Sequence, residues 1–439
     1  HWEQSPMYHN EVLHCLLDVI LLAKRNGIAL PDVILRQTEK MAMADVAWLK
    51  PDHHIVMMGD SDDVDVRDRI SVAAYLFLNP VLRFGGFDRL DYESIWDLGM
   101  KAGEEYAVME RRKPDFTSLF LEHSGNTYFR SDWSERANFL HLHSGTMGAG
   151  HGHSDKLHID LVVNGEDVLM DGGRYTYVSG PKRFSYKDPS GHNTITVDDL
   201  PFTVCKDSWE CSKLSQPVKK NFRCTKLAEF AQAGQLGYMD LPGGVYVNRK
   251  VVYIKPDLYI LVDEMYTGDC HTYQQYFHFN NHGAVTLTAP GEKKFPCVAY
   301  RGKMAEADFY FVSAQVKAEL KRGHIARHYN VEEENTVCKV TKPGDGFTSL
   351  ITVIDAHPGR PLSIEKLPVR SALKQTDYPE TMAEALKITT GEKEYVVILC
   401  HQEVNSPTDL VEADGCMGYG NVIVFDKAED VLVGDVLNW

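Results

Sequence analysis

The sequence predicts an α+β multidomain fold. Helical hairpins, as in a bundle or an α/α toroid, lead into a large antiparallel β-sandwich and then a small C-terminal β domain. Three observations carry this expectation. Up to about residue 113 a helix, short loop, helix pattern repeats. From Pro114 to about residue 356, short runs of β-branched and aromatic residues succeed one another between turn signals. Beyond Arg360-Pro361 two strong strand signals remain, Tyr395 to Cys400 and Asn421 to Phe425. The expected domains are therefore 1–113, 114–360 and 361–439.

Taken in order, Val12, Leu13, Leu16, Leu17, Ile20 and Leu21 recur at helical spacing, and Gly27 ends that run. A second helix is expected from Pro31 to Trp48, with proline in its first turn. Pro51 to Asp65 reads as a loop carrying Met58-Gly59-Asp60-Ser61-Asp62. A third helix takes in Arg69 to Leu78 and a fourth Tyr92 to Met109. Strands are expected over Phe116–Glu122, Asn126–Ser131, Asn138–His143, Thr194–Val197, Val245–Ile254, Leu258–Asp263, Tyr273–Phe279, Phe309–Ser313 and Phe347–Ile354.

The stretch with the most chemistry is Gly148-Ala149-Gly150-His151-Gly152-His153-Ser154-Asp155. It leads into His158-Ile159-Asp160-Leu161-Val162-Val163, an Asn164-Gly165 turn, and Val168-Leu169-Met170-Asp171-Gly172-Gly173. This is a β-hairpin signature. A hairpin folds its ends together, so His153 and Asp171 can meet although eighteen positions separate them. Residues two apart on a strand share a face, which would aim His151 and His153 into one site. The three glycines leave room for another molecule to approach the backbone, and a core strand has no use for Asp171 at its end.

Composition sets bounds. With 44% hydrophobic and 25% charged residues, the 439-residue chain is of ordinary globular make-up. The longest apolar run, Val12 to Ala23, is broken by His14 and Asp18, so no membrane span is expected. A net charge of −16 argues against nucleic acid as a partner. It leaves room for an anionic substrate at a locally basic cleft, for which Arg174, Lys182-Arg183 and Lys187 are candidates. Arg111-Arg112-Lys113 is expected to be solvated surface charge. The nine cysteines are odd in number, scattered and never spaced Cys-x-x-Cys, which argues against a zinc ribbon and favours a reducing compartment.

Four stretches carry a family resemblance: His1-Trp2-Glu3-Gln4-Ser5-Pro6-Met7-Tyr8-His9; Met58-Gly59-Asp60-Ser61; Tyr128-Phe129-Arg130-Ser131-Asp132-Trp133 through to Leu157; and Asp171-Gly172-Gly173-Arg174-Tyr175-Thr176-Tyr177 with Gly191-His192-Asn193-Thr194. In this order they resemble the heparinase II/III-type polysaccharide lyases. The resemblance implies a partial α/α toroid ahead of the β-sandwich and a periplasmic or secreted location. It also implies a chain incomplete at its N-terminus, because the family's carboxylate-binding asparagine or histidine lies well upstream of its tyrosine.

The implied reaction is β-elimination at a uronic acid. The enzyme must neutralise the carboxylate, take the weakly acidic C5 proton and protonate the leaving glycosidic oxygen. By resemblance Tyr8 is the catalytic acid and serves also as a base, and His151 is the second catalytic residue. Spacing alone would make Tyr8 a packing aromatic at a helix start. His153, Asp171 and His192 resemble a metal site; two imidazoles and a carboxylate suit structural Zn²⁺ that locks the loop presenting His151. His158 is the alternative ligand from strand alternation, otherwise a surface residue. Glu3, His9, Arg174, Tyr175 and Arg183 are the candidate substrate contacts, and Asp60 braces a loop. The expected partner is an anionic glycosaminoglycan of the heparin or heparan sulfate type, the acidic balance favouring a shorter or less sulfated one. Alginate or another uronate polymer, a metal-dependent glycan hydrolase and an inactive carbohydrate-binding protein are the competing readings.

Overall fold

The computed structural model describes residues 2–288, 294–391, 393–428 and 431–438. His1, the first residue of the motif quoted above, and the last residue of the expected C-terminal domain lie outside them. The fold is mostly antiparallel sheet with helices gathered near the N-terminus. Two compact units divide the chain: 1–194 with 203–214 and 322–336, and 195–202 with 215–321 and 337–439. The change of texture near residue 113 falls inside the first unit and the one near residue 360 inside the second.

The first unit opens with helices α1 (Pro6–Arg25), α2 (Asp32–Trp48), α3 (Arg67–Phe77), α4 (Pro80–Gly85), α5 (Tyr92–Leu98) and α6 (Met100–Ala107). Proline opens α1 and α4, where a missing N–H costs nothing. The Asn79 side chain caps α4 by accepting from Val81 N and Leu82 N. The fourth expected helix, Tyr92 to Met109, is in fact two. Gly99 sits between them at φ 95°, outside helical geometry. Leu13 and Leu17 of α1, Ala42 and Val46 of α2, Ile70 of α3 and Tyr106 of α6 form one buried cluster with Tyr128, Phe139 and Val162 of the strands that follow.

Those strands are β1 (Leu119–Leu121), β2 (Asn126–Arg130), β3 (Phe139–His143), β4 (Ile159–Val163) and β5 (Glu166–Leu169), paired antiparallel in sequence order. Asn164 and Gly165 turn β4 into β5 with φ of 49° and 81°, the primed turn the dipeptide signals. Helix α7 (Pro181–Lys187) interrupts a region where only strands were expected.

In the second unit Pro217–Cys224, Ala228–Tyr238, Val245–Ile254 and Leu258–Phe279 pair antiparallel in succession. The two strands expected at Leu258 and Tyr273 are one strand of 22 residues. A five-stranded sheet, Leu362–Leu367, Ala383–Thr390, Lys393–Cys400, Val422–Ala428 and Val431–Asn438, closes the chain. Ile260, Val252 and Phe230 share a buried cluster with Leu386, Val397 and Val424 from that sheet.

Candidate functional site

The site is assembled in the first unit by three segments. The 58–62 loop is fastened to the start of α1: Ser5 Oγ donates to Asp60 O at 3.0 Å, and Met7 N donates to Ser61 Oγ at 3.2 Å. It is fastened to the glycine-rich segment as well, since Asp60 N donates to His151 O at 2.9 Å. Gly59 sits at φ 62° where a Cβ would lie 2.8 Å from that same carbonyl, so this approach needs glycine. The third segment follows β5 and runs from Asp171 to α7.

His151 and His153 do not lie on a strand. They occupy the turn before β4, closed by Gly152 N donating to Ala149 O at 3.0 Å. Strand alternation therefore does not bring them together; Asp60 does. His153 Nε2 lies 2.8 Å from Asp60 Oδ1 and His151 Nδ1 lies 3.2 Å from Oδ2. Arg183 from α7 donates to both oxygens, at 2.5 and 2.7 Å. Burial alone would raise this carboxyl, but the two imidazoles and the guanidinium hold it far below the ordinary range. A carboxylate only accepts, so the facing nitrogen of each ring carries the hydrogen. That leaves His153 Nδ1 and His151 Nε2 as the nitrogens turned away from Asp60.

Tyr8 stacks on His151, ring centroids 3.7 Å apart and planes 17° from parallel. Its hydroxyl is 2.9 Å from that of Tyr177, and Arg174 Nη1 donates to Tyr177 at 2.6 Å and to Tyr8 at 3.4 Å. Arg174 is itself held by both oxygens of Asp62, at 2.6 and 3.1 Å. Burial pushes the Tyr177 phenol well up. The indole of Trp209, 53% exposed, stands edge-on to His151 at 5.3 Å. The phenol and imidazole that the sequence pairs thus meet in one place, with a cation beside the phenol oxygen.

Deeper in, one ligand atom from each of His153, Asp171 and His192 lies within 4.8 Å of the others. All three residues are 0% exposed. Among the described residues His153 Nδ1 and His192 Nε2 have no hydrogen-bond partner, while the opposite nitrogen of each ring is oriented by a carboxylate, Asp60 and Asp171 respectively. Burial lowers His153 to about 4, which keeps that ring neutral. Burial also opposes charge on His192, but Asp171 raises it to about 9. Two neutralisable imidazoles and a carboxylate are a donor set of the kind that takes Zn²⁺, with the far nitrogen of His153 held by Asp60 outside the set.

Several expected contacts sit elsewhere. His9 is 3% exposed; its Nε2 lies 3.1 Å from Met41 O and its ring packs edge-on to Trp48, so it belongs to the helical core and does not reach a substrate. Burial lowers it to about 4. Arg183 is 0% exposed and spent on Asp60, so it braces the site from behind. His158 is no surface residue: it is 0% exposed, accepts from Asn193 N at Nδ1 and turns Nε2 to Asp160 at 3.0 Å. Arg174 faces the tyrosines, Tyr175 is half-buried against Tyr186, and Glu3 is half-buried, its Oε2 without a partner among the described residues. Sequence reasoning missed Asp62, Tyr177, Trp209 and the central place of Asp60. The acid-rich Gly59-Asp60-Ser61-Asp62 loop was the one available signal for two of these.

Fold and geometry together define an α+β protein with a stacked tyrosine–histidine pair beside a candidate metal centre. The chain belongs to the heparinase II/III-like family: the family model described as Heparinase II/III-like, C-terminal, matches residues 113–364, more than half of the sequence. The crystal structure of heparan sulfate lyase HepC from Pedobacter heparinus is similar in fold, with TM-score 0.72 at 18% identity. The match covers 92% of this chain and 60% of that one. A HepC mutant gives TM-score 0.72 at 19% identity, over 92% and 59%. A crystal structure of heparinase III gives 0.70 at 16%, over 91% and 60%. At these identities the likeness is one of fold, and the chain spans about three fifths of each of these proteins. No curated relative matches the sequence.

Proposed function

We propose that this chain carries the proton-transfer centre of a polysaccharide lyase that cleaves a uronic-acid-containing glycosaminoglycan, of the heparin or heparan sulfate type, by β-elimination. The observation that carries the reading is the stacking of Tyr8 on His151, with Arg174 3.4 Å from the phenol oxygen. Family membership and the heparan sulfate lyase named among the structural relatives support the substrate class.

In this reading a base removes the C5 proton. The electrons delocalise toward the uronate carboxyl, then form the C4–C5 double bond as the C4–O bond breaks, and an acid protonates the departing oxygen. The neutral His151 tautomer with Nδ1–H on Asp60 has Nε2 as the base, and Tyr8 has the hydroxyl that donates to the leaving oxygen. Tyr177 and Arg174 orient that hydroxyl and offset negative charge on it. His153, Asp171 and His192 would hold Zn²⁺, whose contribution is to lock the loop bearing His151. Their complete burial speaks against a substrate-accessible ion and so against the metal-dependent hydrolase.

The test is incubation with heparan sulfate, a less sulfated glycosaminoglycan and alginate. Ultraviolet-absorbing unsaturated ends are expected on the first two. New reducing ends without that absorbance would replace the lyase by a hydrolase, and neither product would leave a binding protein. Elemental analysis of the purified protein, with His153→Ala as the control, reads the metal separately from turnover.

A further inference from the structure

Beside the stacked rings, Val204–Cys205 pairs with Cys211–Lys213 in a small ribbon whose loop carries Trp209. Cys205 and Cys211 are partners across it, with Sγ atoms 3.0 Å apart. Opposed residues of antiparallel strands have Cα atoms about 4.5–5.5 Å apart, a span that a disulfide bridges. Both thiols are half-buried, within reach of a small reagent. The hydrogen shared with Cys205 holds the Cys211 thiol at about 7, against burial and with help from Lys187, so a nucleophilic thiolate is present near neutral pH.

The loop between these sulfurs is tied to the cluster. Lys187 Nζ donates to Ser208 O at 3.0 Å, and Ser208 Oγ donates to Tyr177 O at 2.6 Å. Trp209 lies against both His151 and Tyr177, at 5.3 and 5.2 Å between centroids, yet keeps half its surface open. A half-open indole beside the reacting groups offers a flat apolar face to a sugar ring.

We propose that Cys205 and Cys211 form a reversible disulfide that staples the Trp209 loop against His151 and Tyr177, so that the indole is held ready for a sugar ring of the substrate. The sugar-facing role rests on the lyase reading above; the staple does not. The oxidant is a small-molecule disulfide such as oxidised glutathione. The Cys211 thiolate attacks one of its sulfurs and releases one thiolate. Cys205 then gives up its proton and attacks the Cys211 sulfur of the mixed disulfide, which forms the internal bond and releases the second thiolate. Two protein thiols are oxidised and one external disulfide is reduced to two thiols.

The experiment equilibrates the whole protein in glutathione buffers of increasing oxidised fraction, traps free thiols with an alkylating agent and digests with trypsin. Cleavage after Lys206 separates the two cysteines, so the staple appears as two linked peptides. The expected result is that this linked pair forms, disappears on reduction and is absent from Cys211→Ser. A mixed glutathione disulfide that stops at Cys211 would overturn the proposal. So would both thiols staying alkylated while exposed Cys15, Cys224 and Cys270 are oxidised. On a uronate polymer, the stapled form should show a KM roughly threefold lower than the reduced form with kcat little changed, as preorganisation of a loop requires. Cys205→Ser should stop at the mixed disulfide on Cys211 and form no linked pair. Turnover with a KM unmoved by the cross-link would overturn the role of the loop. Linked peptides with no turnover in either form would instead strike the lyase reading and leave the staple standing.

Discussion

Asp60 concentrates more of the site than any other residue. Two oxygens, wholly buried, take two imidazoles and a bidentate guanidinium. Asp60→Asn should therefore cost about 3–5 kcal/mol, because Arg183 is left buried without its counter-charge. Denaturant unfolding reads this, and a loss under 1 kcal/mol would mean the pair is weaker than its geometry. Tyr8→Phe should behave in the opposite way. Its ring and stacking survive and only a partly exposed hydroxyl goes, so stability should change by about 1 kcal/mol or less. Turnover should fall by roughly 10²–10⁴, the usual size of a lost general acid. If Tyr8→Phe keeps wild-type kcat, the acid is elsewhere. Tyr8, His151 and the His153–Asp171–His192 group were all readable as residue types in order. The partners of Asp60 were not: they lie 91, 93 and 123 positions away. A local pattern around one carboxylate carries no record of charges that only the tertiary fold brings to it.

At the scale of the element, the decisive piece is the glycine-rich turn before β4. A Cβ on Gly152 would stand 1.6 Å from Met147 O, closer than any relaxation of side chains can relieve. Gly152→Ala must move backbone, and the backbone it moves carries His151 and His153 on either side. The expectation is a modest loss of stability, about 1–3 kcal/mol, with a disproportionate loss of kcat and of bound metal. Circular dichroism melts beside metal content and turnover check this. Unchanged metal and kcat in a destabilised protein would show that the turn only packs. The hairpin after it was legible because Asn164-Gly165 and the flanking alternation encode a local geometry. The turn was misread as strand for a related reason: His-x-His has the same period in both, and the hydrogen bonds that choose between them come from Asp60 and Ala149. Gly99 is the converse case, one residue whose positive φ splits a helix that hydrophobic spacing ran straight through.

Over the whole molecule, the succession from helices to antiparallel strands is written in residue periodicity, whereas the polar networks buried in the second unit are not. There Glu264, on the strand Leu258–Phe279, and Glu384, on Ala383–Thr390, both bind His401, at 2.7 and 3.1 Å. Burial works against charge on each acid. Lys250 and His401 nevertheless hold Glu264 at about 2, and His401 and Lys366 hold Glu384 at about 2, against an ordinary 4.5. Burial likewise opposes charge on His401, which the two carboxylates raise above its ordinary 6.5. A depressed acid stabilises the fold above its unfolded pKa, and that stability is lost as pH falls toward the folded value. A raised histidine stabilises the fold below 6.5 and loses this as pH climbs through its folded value. The network therefore contributes most between about pH 4.5 and 6.5. Each carboxylate shift is worth about 3 kcal/mol, and the two are not additive because one imidazolium serves both. Thermal or urea unfolding across pH 2 to 8 should give a dome over that window. His401→Gln should flatten both flanks, the acid side only in part, because Lys250 and Lys366 remain. An alkaline flank as steep in His401→Gln as in the parent would mean that this histidine does not carry charge in the folded chain.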